Sequence, residues 1–269
     1  MKRILSIQDV SCLGSSSNTV MLPVASCMGA ECVILPTALL SAHTFFDGFV
    51  NQELTALLLP FAEHWKRLGV HFDAICTGYL SCAAQADAVL QIIDLLAEEN
   101  TLIFVDPAMA DHGRLYPGLS YALPHAMARL CQRADVIAPN LTEACLLTDT
   151  PYRMHPDLAL LQRRLLDLGA GQVLLTGVEQ GSTIGVVGSG KWGELSCFSP
   201  RLDNQRPGTG DLFSAVCATA LTLGQHPQRA VKLAADFISA AIRATQEQPD
   251  ARAYCVHFQS VLPMLCHPL

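Results

Sequence analysis

The stretch FDAICTGYLSCAAQADAVLQIIDLLAEENTLIFVD, residues 72–106, decides the fold. Its two ends, FDAICTG (72–78) and TLIFVD (101–106), are short runs that are nearly all apolar. ADAVLQIIDLLAEE between them reads as a helix. A strand without polar alternation is covered on both faces, and a helix between two such strands returns the chain parallel to itself. The unit is therefore a strand–helix–strand crossover.

The same pattern extends outward in both directions. Upstream, RILSI (3–7) and ECVIL (31–35) read as strands, with helices over about 16–28 and 55–69. Downstream, DVIAP (135–139) and QVLLTG (172–177) continue the series, separated by helical stretches near 141–148 and 156–168. From residue 181 the style changes. STIGVVGSGKWGELSCFS has glycine-rich punctuation between two strand-like segments and reads as a hairpin. A helix follows residue 211, and another covers roughly 227–246. The expectation is one α/β domain over 1–269: three layers, α/β/α, with a central mostly parallel sheet and a small antiparallel hairpin extension. Functional loops then belong at the carboxyl ends of the strands.

Composition excludes several classes. Hydrophobic residues make up 51% of 269, enough for a sizeable core. A net charge of −7 argues against nucleic-acid and anionic-membrane partners. The start, MKRILSIQDV, has neither a long apolar core nor a cleavage site, and no apolar run reaches about eighteen residues. The chain reads as soluble and cytoplasmic. Its eleven cysteines contain no C-x-x-C pair and its nine histidines no ligand spacing, so core packing of reduced thiols is expected, with no zinc.

One motif misleads. GVVGSGKW (185–192) satisfies the first seven positions of a P-loop, but Trp192 stands where Ser or Thr reaches Mg²⁺. The residues after it continue as strand rather than helix, so the match reads as a hairpin turn.

Four other stretches carry chemistry. RPGTGDLFSA (206–215) sets Gly208, Thr209, Gly210 and Asp211 at the start of an apolar helix, where bare N–H groups bind anions. DPAMADHGRLY brings Asp106 and Asp111 to the sheet's carboxyl edge, PNLTEACLLT brings Asn140 and Glu143, and LTGVE brings Thr176. Each has a structural reading: helix punctuation for the glycines, a turn for Asp106-Pro107, a capping box for Asn140 with Glu143. Together they supply what phosphoryl transfer needs, namely a phosphate cradle, oxygen ligands for a cation and a base for an alcohol. Asp111 and Glu143, directly or through water, suit Mg²⁺. Asp211 suits the base.

The ordered set SIQDVSCLG, LLSAHT, TGYLS, DPAMADHG, APNLTEA and PGTGD resembles the ribokinase superfamily and, within it, the pyridoxal kinases, over nearly the whole chain. The resemblance implies a ribokinase-like fold, a homodimer, and ATP-dependent phosphorylation of the hydroxymethyl group of a B6 vitamer. It implies Asp211 as general base and Gly208, Thr209 and Gly210 as the anion hole. Asp111 and Glu143 would serve Mg²⁺. Asp106, Asn140, Glu143 and Thr176 would lie at the nucleotide, with Asp106 also at a K⁺ or Na⁺ site. Asp9, His43, Thr44 and Tyr79 would surround the pyridine ring. The chain departs from the family by carrying Asp9 where such kinases commonly have Ser, a carboxylate able to pair with a protonated ring nitrogen. Ala110 replaces a usual Gly. The superfamily's sugar kinases add a β lid and an early glycine pair, and neither is found here. Hydroxymethylpyrimidine kinases have similar sites but usually carry Cys at the position of Asp211. A weakly catalytic relative that binds B6 or nucleotide is the remaining alternative.

Overall fold

The computed structural model describes residues 1–153, 156–202, 206–249 and 251–266. In chain order the elements are β1 (Arg3–Ser11), α1 (Asn18–Cys27), β2 (Glu31–Leu40), β3 (Asn51–Glu53), α2 (Thr55–Arg67), β4 (Ala74–Thr77), α3 (Ala83–Leu96) and β5 (Leu102–Val105). Then come β6 (Ala110–Asp111), β7 (Arg114–Leu115), α4 (Leu123–Cys131), β8 (Val136–Ile137), α5 (Leu141–Leu147) and α6 (Leu158–Asp167). The last are β9 (Gln172–Gln180), β10 (Thr183–Gly190), β11 (Leu195–Pro200), α7 (Thr209–Thr222), α8 (Pro227–Gln246) and a 3₁₀ turn at Gln259–Leu265.

Nine strands form one sheet in the order β11-β10-β9-β8-β5-β4-β1-β2-β3. From β2 through β9 every neighbouring pair is parallel. The β9–β10–β11 edge is antiparallel, as the glycine-rich punctuation indicated. At the other edge β3 pairs antiparallel with β2.

Strand residues alternate between two cores, although nearly all are apolar. Leu5, Ile7, Ile75, Ile103, Val105, Ile137 and Val173 pack with α2–α6 side chains such as Leu58, Ile92, Leu130, Ala144 and Leu161. Ile4, Ala74, Phe104, Val136 and Leu174 pack with α1, α7 and α8 through Val20, Val24, Phe213, Val216 and Phe237. Burying one such side chain contributes about 1.5–3 kcal/mol, so both faces of the sheet drive folding. The three layers match the expectation from sequence.

The chain leaves β1 for β2 on one side and later places β4 on the other. That reversal is a topological switch point, and open α/β sheets bind ligands beyond the carboxyl ends of the strands at such a point. The P-loop look-alike lies in β10 and the turn after it, and the Trp192 N–H donates to Gln172 Oε1 at 2.9 Å. It opens no helix.

All eleven cysteines are free. Cys76, Cys131, Cys145, Cys217 and Cys255 are buried, whereas Cys12 and Cys266 are exposed, so core packing accounts for only part of the set. The thiols of Cys27 and Cys266 lie 2.9 Å apart.

Candidate active site

Asp211 stands in the first turn of α7, behind Gly208 with φ 99° and ψ −2°. Left-handed backbone there suits glycine, and a Cβ at Gly208 would stand 2.8 Å from the Ser15 carbonyl oxygen. No side chain caps this helix. Gly210 has nothing within 4 Å of its Cβ direction, so the helix start is open as well as uncapped. An uncapped N-terminus with bare amides has the polarity and the donors to hold an anion.

Asp211 does not fold back to cap its own helix. The residue is part-buried, and burial of its carboxyl group, against the pull of the Ser17 N–H, pushes it up to about 8. The charges of Asp106 and Asp9 add to that shift.

Asp106, just beyond β5, accepts from the Ser214 hydroxyl of α7 at 2.6 Å. Burial raises it to about 6. Glu143 is 2% exposed and closes the capping box read from the sequence: Asn140 N–H donates to its Oε2 at 2.9 Å, and its own N–H donates to Asn140 Oδ1 at 3.0 Å. Its Oε1 also accepts from Met109 N–H at 3.1 Å. Burial and the Asp106 charge still hold Glu143 well above the ordinary carboxylate range. The two readings of PNLTEA are thus compatible, since capping fixes the carboxylate where the Asp106 charge reaches it.

Asp9 closes the group from the β1 side. It is 3% exposed, accepts from the Ser11 hydroxyl at 2.9 Å, and is raised by burial against the pull of the Ser17 and Ser11 hydroxyls. Burial first and then the Asp9 charge push the Tyr79 hydroxyl up to about 12, which sets that ring beside Asp9. Among the described residues no Lys or Arg forms an ion pair with Asp9, Asp106, Glu143 or Asp211. Buried carboxylates left to one another are a receptor for cations.

The remaining expected residues lie in the β6–β7 hairpin, in β9 and in the loop after β2. Asp111, in the β6–β7 hairpin, has a 54% exposed side chain and accepts from the His112 N–H at 2.8 Å. Thr176 bridges Asn140 in parallel register, and its N–H donates to the Pro139 carbonyl at 2.9 Å. His43 and the half-buried Thr44 sit in the loop after β2. The His43 N–H donates to the Leu13 carbonyl at 2.8 Å, tying that loop to the serine-rich loop after β1, and burial lowers the imidazole below its usual range.

Among the described residues no three His, Cys, Asp or Glu side chains converge as a ready-made metal cluster, so a metal here would rest on few protein ligands and on water. Both oxygens of Glu143 already accept backbone N–H groups, so Glu143 suits a metal-bound water, while the open Asp111 carboxylate suits direct contact. Few carboxylates and several waters is the habit of Mg²⁺.

Three residues escaped the sequence reading. Ser214 has no motif and is found only through Asp106. The Tyr116 hydroxyl is pushed up by burial and by the charges of Glu143, Asp111, Asp211 and Asp106, so it stands where these carboxylates meet. Ser17 adopts φ 49° and ψ −126°, a backbone that glycine favours and that costs a side-chain-bearing residue about 1–3 kcal/mol. A left-handed serine leaves no trace in sequence.

The sheet and its strand order, with the relatives that share them, define a kinase of the ribokinase-like type. The chain belongs to the phosphomethylpyrimidine kinase family, whose family model matches residues 65–256. Pyridoxal kinase PdxY of Paraburkholderia phymatum is 27% identical over 259 residues, which cover 91% of this chain and 89% of that protein. The crystal structure of pyridoxal kinase from Lactobacillus plantarum superposes with a TM-score of 0.91 at 32% identity, covering 98% of this chain and 96% of that one. A candidate phosphomethylpyrimidine kinase from Bacteroides thetaiotaomicron, crystallised with pyridoxal, superposes with a TM-score of 0.94 at 35% identity, covering 100% and 96%.

Proposed function

We propose that residues 1–269 form one kinase domain that transfers the γ-phosphoryl group of ATP to the 5′-hydroxymethyl group of pyridoxal, pyridoxamine or pyridoxine. One observation carries the reading: the carboxyl group of Asp211, raised to about 8, stands in the first turn of a helix whose leading amides are uncapped. A base of that strength beside an anion site is what an alcohol kinase requires. Likeness to the pyridoxal kinases, and to a protein crystallised with pyridoxal, supports a B6 vitamer as the alcohol.

In this reading Asp9, His43, Thr44 and Tyr79 hold the pyridine ring, with Asp9 at its nitrogen. Asp211 takes the hydroxyl proton, the freed oxygen attacks the γ-phosphorus, and the bond from that phosphorus to the ADP oxygen breaks. The amides of Gly208, Thr209 and Gly210 face the charge that builds on the moving group. Asp106, Asn140, Glu143 and Thr176 lie at the nucleotide phosphates. Asp111 and Glu143 would hold Mg²⁺, directly or through water, and Asp106 would also serve K⁺ or Na⁺. Mg²⁺, when bound, neutralises phosphate charge. The enzyme works in the cytoplasm as a homodimer.

A second reading, phosphorylation of hydroxymethylpyrimidine, is favoured by the family that matches residues 65–256. An ATP-consumption assay with the three vitamers and hydroxymethylpyrimidine decides between them. Turnover with a vitamer at least tenfold above that with the pyrimidine is the expected result. The reverse order removes the B6 reading, and no turnover with any of the four removes both.

A further inference from the structure

Cys27 ends α1, and Cys266 directly follows the 3₁₀ turn at Gln259–Leu265. Their sulfurs lie 2.9 Å apart across 239 residues of chain. Both gather at one carbonyl: the Cys27 thiol donates to the Leu262 oxygen at 3.2 Å, and the Cys266 thiol reaches it at 4.0 Å. The frame around them is firm. Leu265 is fully buried, and Val261 and Leu262 pack on the core that α1, α7 and α8 share. At its other end the 3₁₀ turn touches the loop after β1, where Gln259 Nε2 donates to Ser15 Oγ at 3.4 Å. The turn thus runs as a strap from that loop to the far end of α1.

We propose that Cys27 and Cys266 form a redox modification site, which a low-molecular-weight disulfide closes into an intramolecular disulfide that staples α1 to the strap. Cys266 is exposed and Cys27 half-buried, so Cys266 meets the small molecule first. Its thiolate bonds to one sulfur of the small disulfide, whose own S–S bond breaks and releases one small thiol. The Cys27 sulfur then attacks Cys266: the Cys27–Cys266 bond forms, the mixed disulfide breaks and a second small thiol leaves. Two protein thiols are oxidised, one small disulfide is reduced, and the two protons lost by the protein end on the two small thiols. Burial, and then the neighbouring Cys266, push the Cys27 thiol up to about 11. The part due to Cys266 disappears once that sulfur is tied up in the mixed disulfide. Proximity makes the second step intramolecular. Both cysteines stand at the ends of their elements, where a small side-chain rotation brings the sulfurs to the about 2.05 Å of a disulfide. In a reducing compartment such a bond is transient, so the pair responds to redox state rather than scaffolding the fold. The inference does not rest on the proposed activity.

Incubation of the full chain with oxidised glutathione, then alkylation and peptide mass spectrometry, tests it. Wild type should lose two thiols and yield a cross-linked Cys27–Cys266 peptide, with no glutathione adduct accumulating on Cys266. Its melting temperature should rise by about 5–10 °C, because the bond closes a long loop of chain, and should return on reduction. Cys27→Ser should keep glutathione on Cys266, and Cys266→Ser should form no such cross-link and gain no melting temperature. In reducing buffer both variants should melt with wild type, since neither position belongs to the fully buried core. A glutathione adduct that persists on wild-type Cys266, a cross-link from either residue to another cysteine, or two thiols that stay open to alkylation would each overturn the proposal. A Cys27–Cys266 bond that leaves the melting temperature unmoved overturns the staple.

Discussion

The Ser214 hydroxyl donates to Asp106 at 2.6 Å, joining α7 to the carboxyl end of β5 across 108 residues of chain. Asp211 lies one turn earlier on the same helix, so this bond helps set the distance between two carboxylates that repel. Ser214→Ala leaves a buried acceptor one partner short, which costs about 1–3 kcal/mol. Urea denaturation should show that loss.

Asp211→Asn keeps the shape of the side chain and removes the base. Turnover should fall on the order of 10²–10⁴-fold while ATP binding, followed by calorimetry, survives. Unaltered turnover takes the role of base away from Asp211.

The same substitution has a signed effect on stability. Folded Asp211 keeps its proton up to about pH 8, whereas the unfolded chain releases it near 3.8. Across that window the folded state binds more protons, so this group makes stability fall as pH rises, until about pH 8. Thermal melts of wild type and Asp211→Asn should therefore diverge from about pH 4 to pH 8, with the variant gaining, and run parallel above. A constant offset across the window would mean that Asp211 is not raised. In activity, kcat/KM should rise through a pH near 8. Asp106→Asn removes one repelling charge and should shift that limb to lower pH.

How far the sequence goes is clearest at β1. Its apolar first half, RILSI, was legible, but the strand runs on through Gln8, Asp9 and Ser11, polar residues that are buried and hydrogen-bonded within the strand and to Asn18 at the start of α1. Polarity that would end a strand on a hydrophobic pattern is carried here by those hydrogen bonds. β3 is wholly exposed and has no apolar period to read; it exists through its pairing with β2. α4 was missed although Leu123, Met127 and Leu130 give it a buried face, since Pro124 at its start resembles loop punctuation. The positions of Asp106, Glu143 and Asp211 had signals in sequence: a strand end before Asp106, a capping box around Glu143 and a glycine-led helix start before Asp211. Ser17, Tyr116 and Ser214 had none, because their positions depend on how α1, the β6–β7 hairpin and α7 meet.

Thiol chemistry separates the exposed from the buried cysteines. Burial pushes Cys217 up to about 12 and Cys32 likewise, and it raises Cys76 and Cys131 further. Under native conditions at pH 8 an aromatic disulfide reagent should label Cys12 and Cys266 in the fast phase and leave Cys76, Cys131 and Cys217 unlabelled until the protein is unfolded. Fast labelling of Cys131 or Cys217 would mean that the corresponding core opens readily.

The two glycines of PGTGD should respond in opposite ways. Gly208→Ala combines a left-handed backbone with a Cβ only 2.8 Å from the Ser15 carbonyl, and the neighbour is backbone, which cannot swing aside. It should lose stability by about 1–3 kcal/mol and displace the loop that carries Ser17, lowering turnover with it. Gly210→Ala meets no atom within 4 Å and has an ordinary backbone, so its melting temperature should stay close to wild type. Its methyl group would nonetheless stand in the open mouth of α7, where the anion site needs bare N–H groups, and the KM for ATP should rise. Melting curves and ATP saturation curves of the two variants check both halves. If Gly210→Ala keeps the wild-type KM for ATP, the phosphate does not approach α7 at that amide, and the cradle narrows to Gly208 and Thr209.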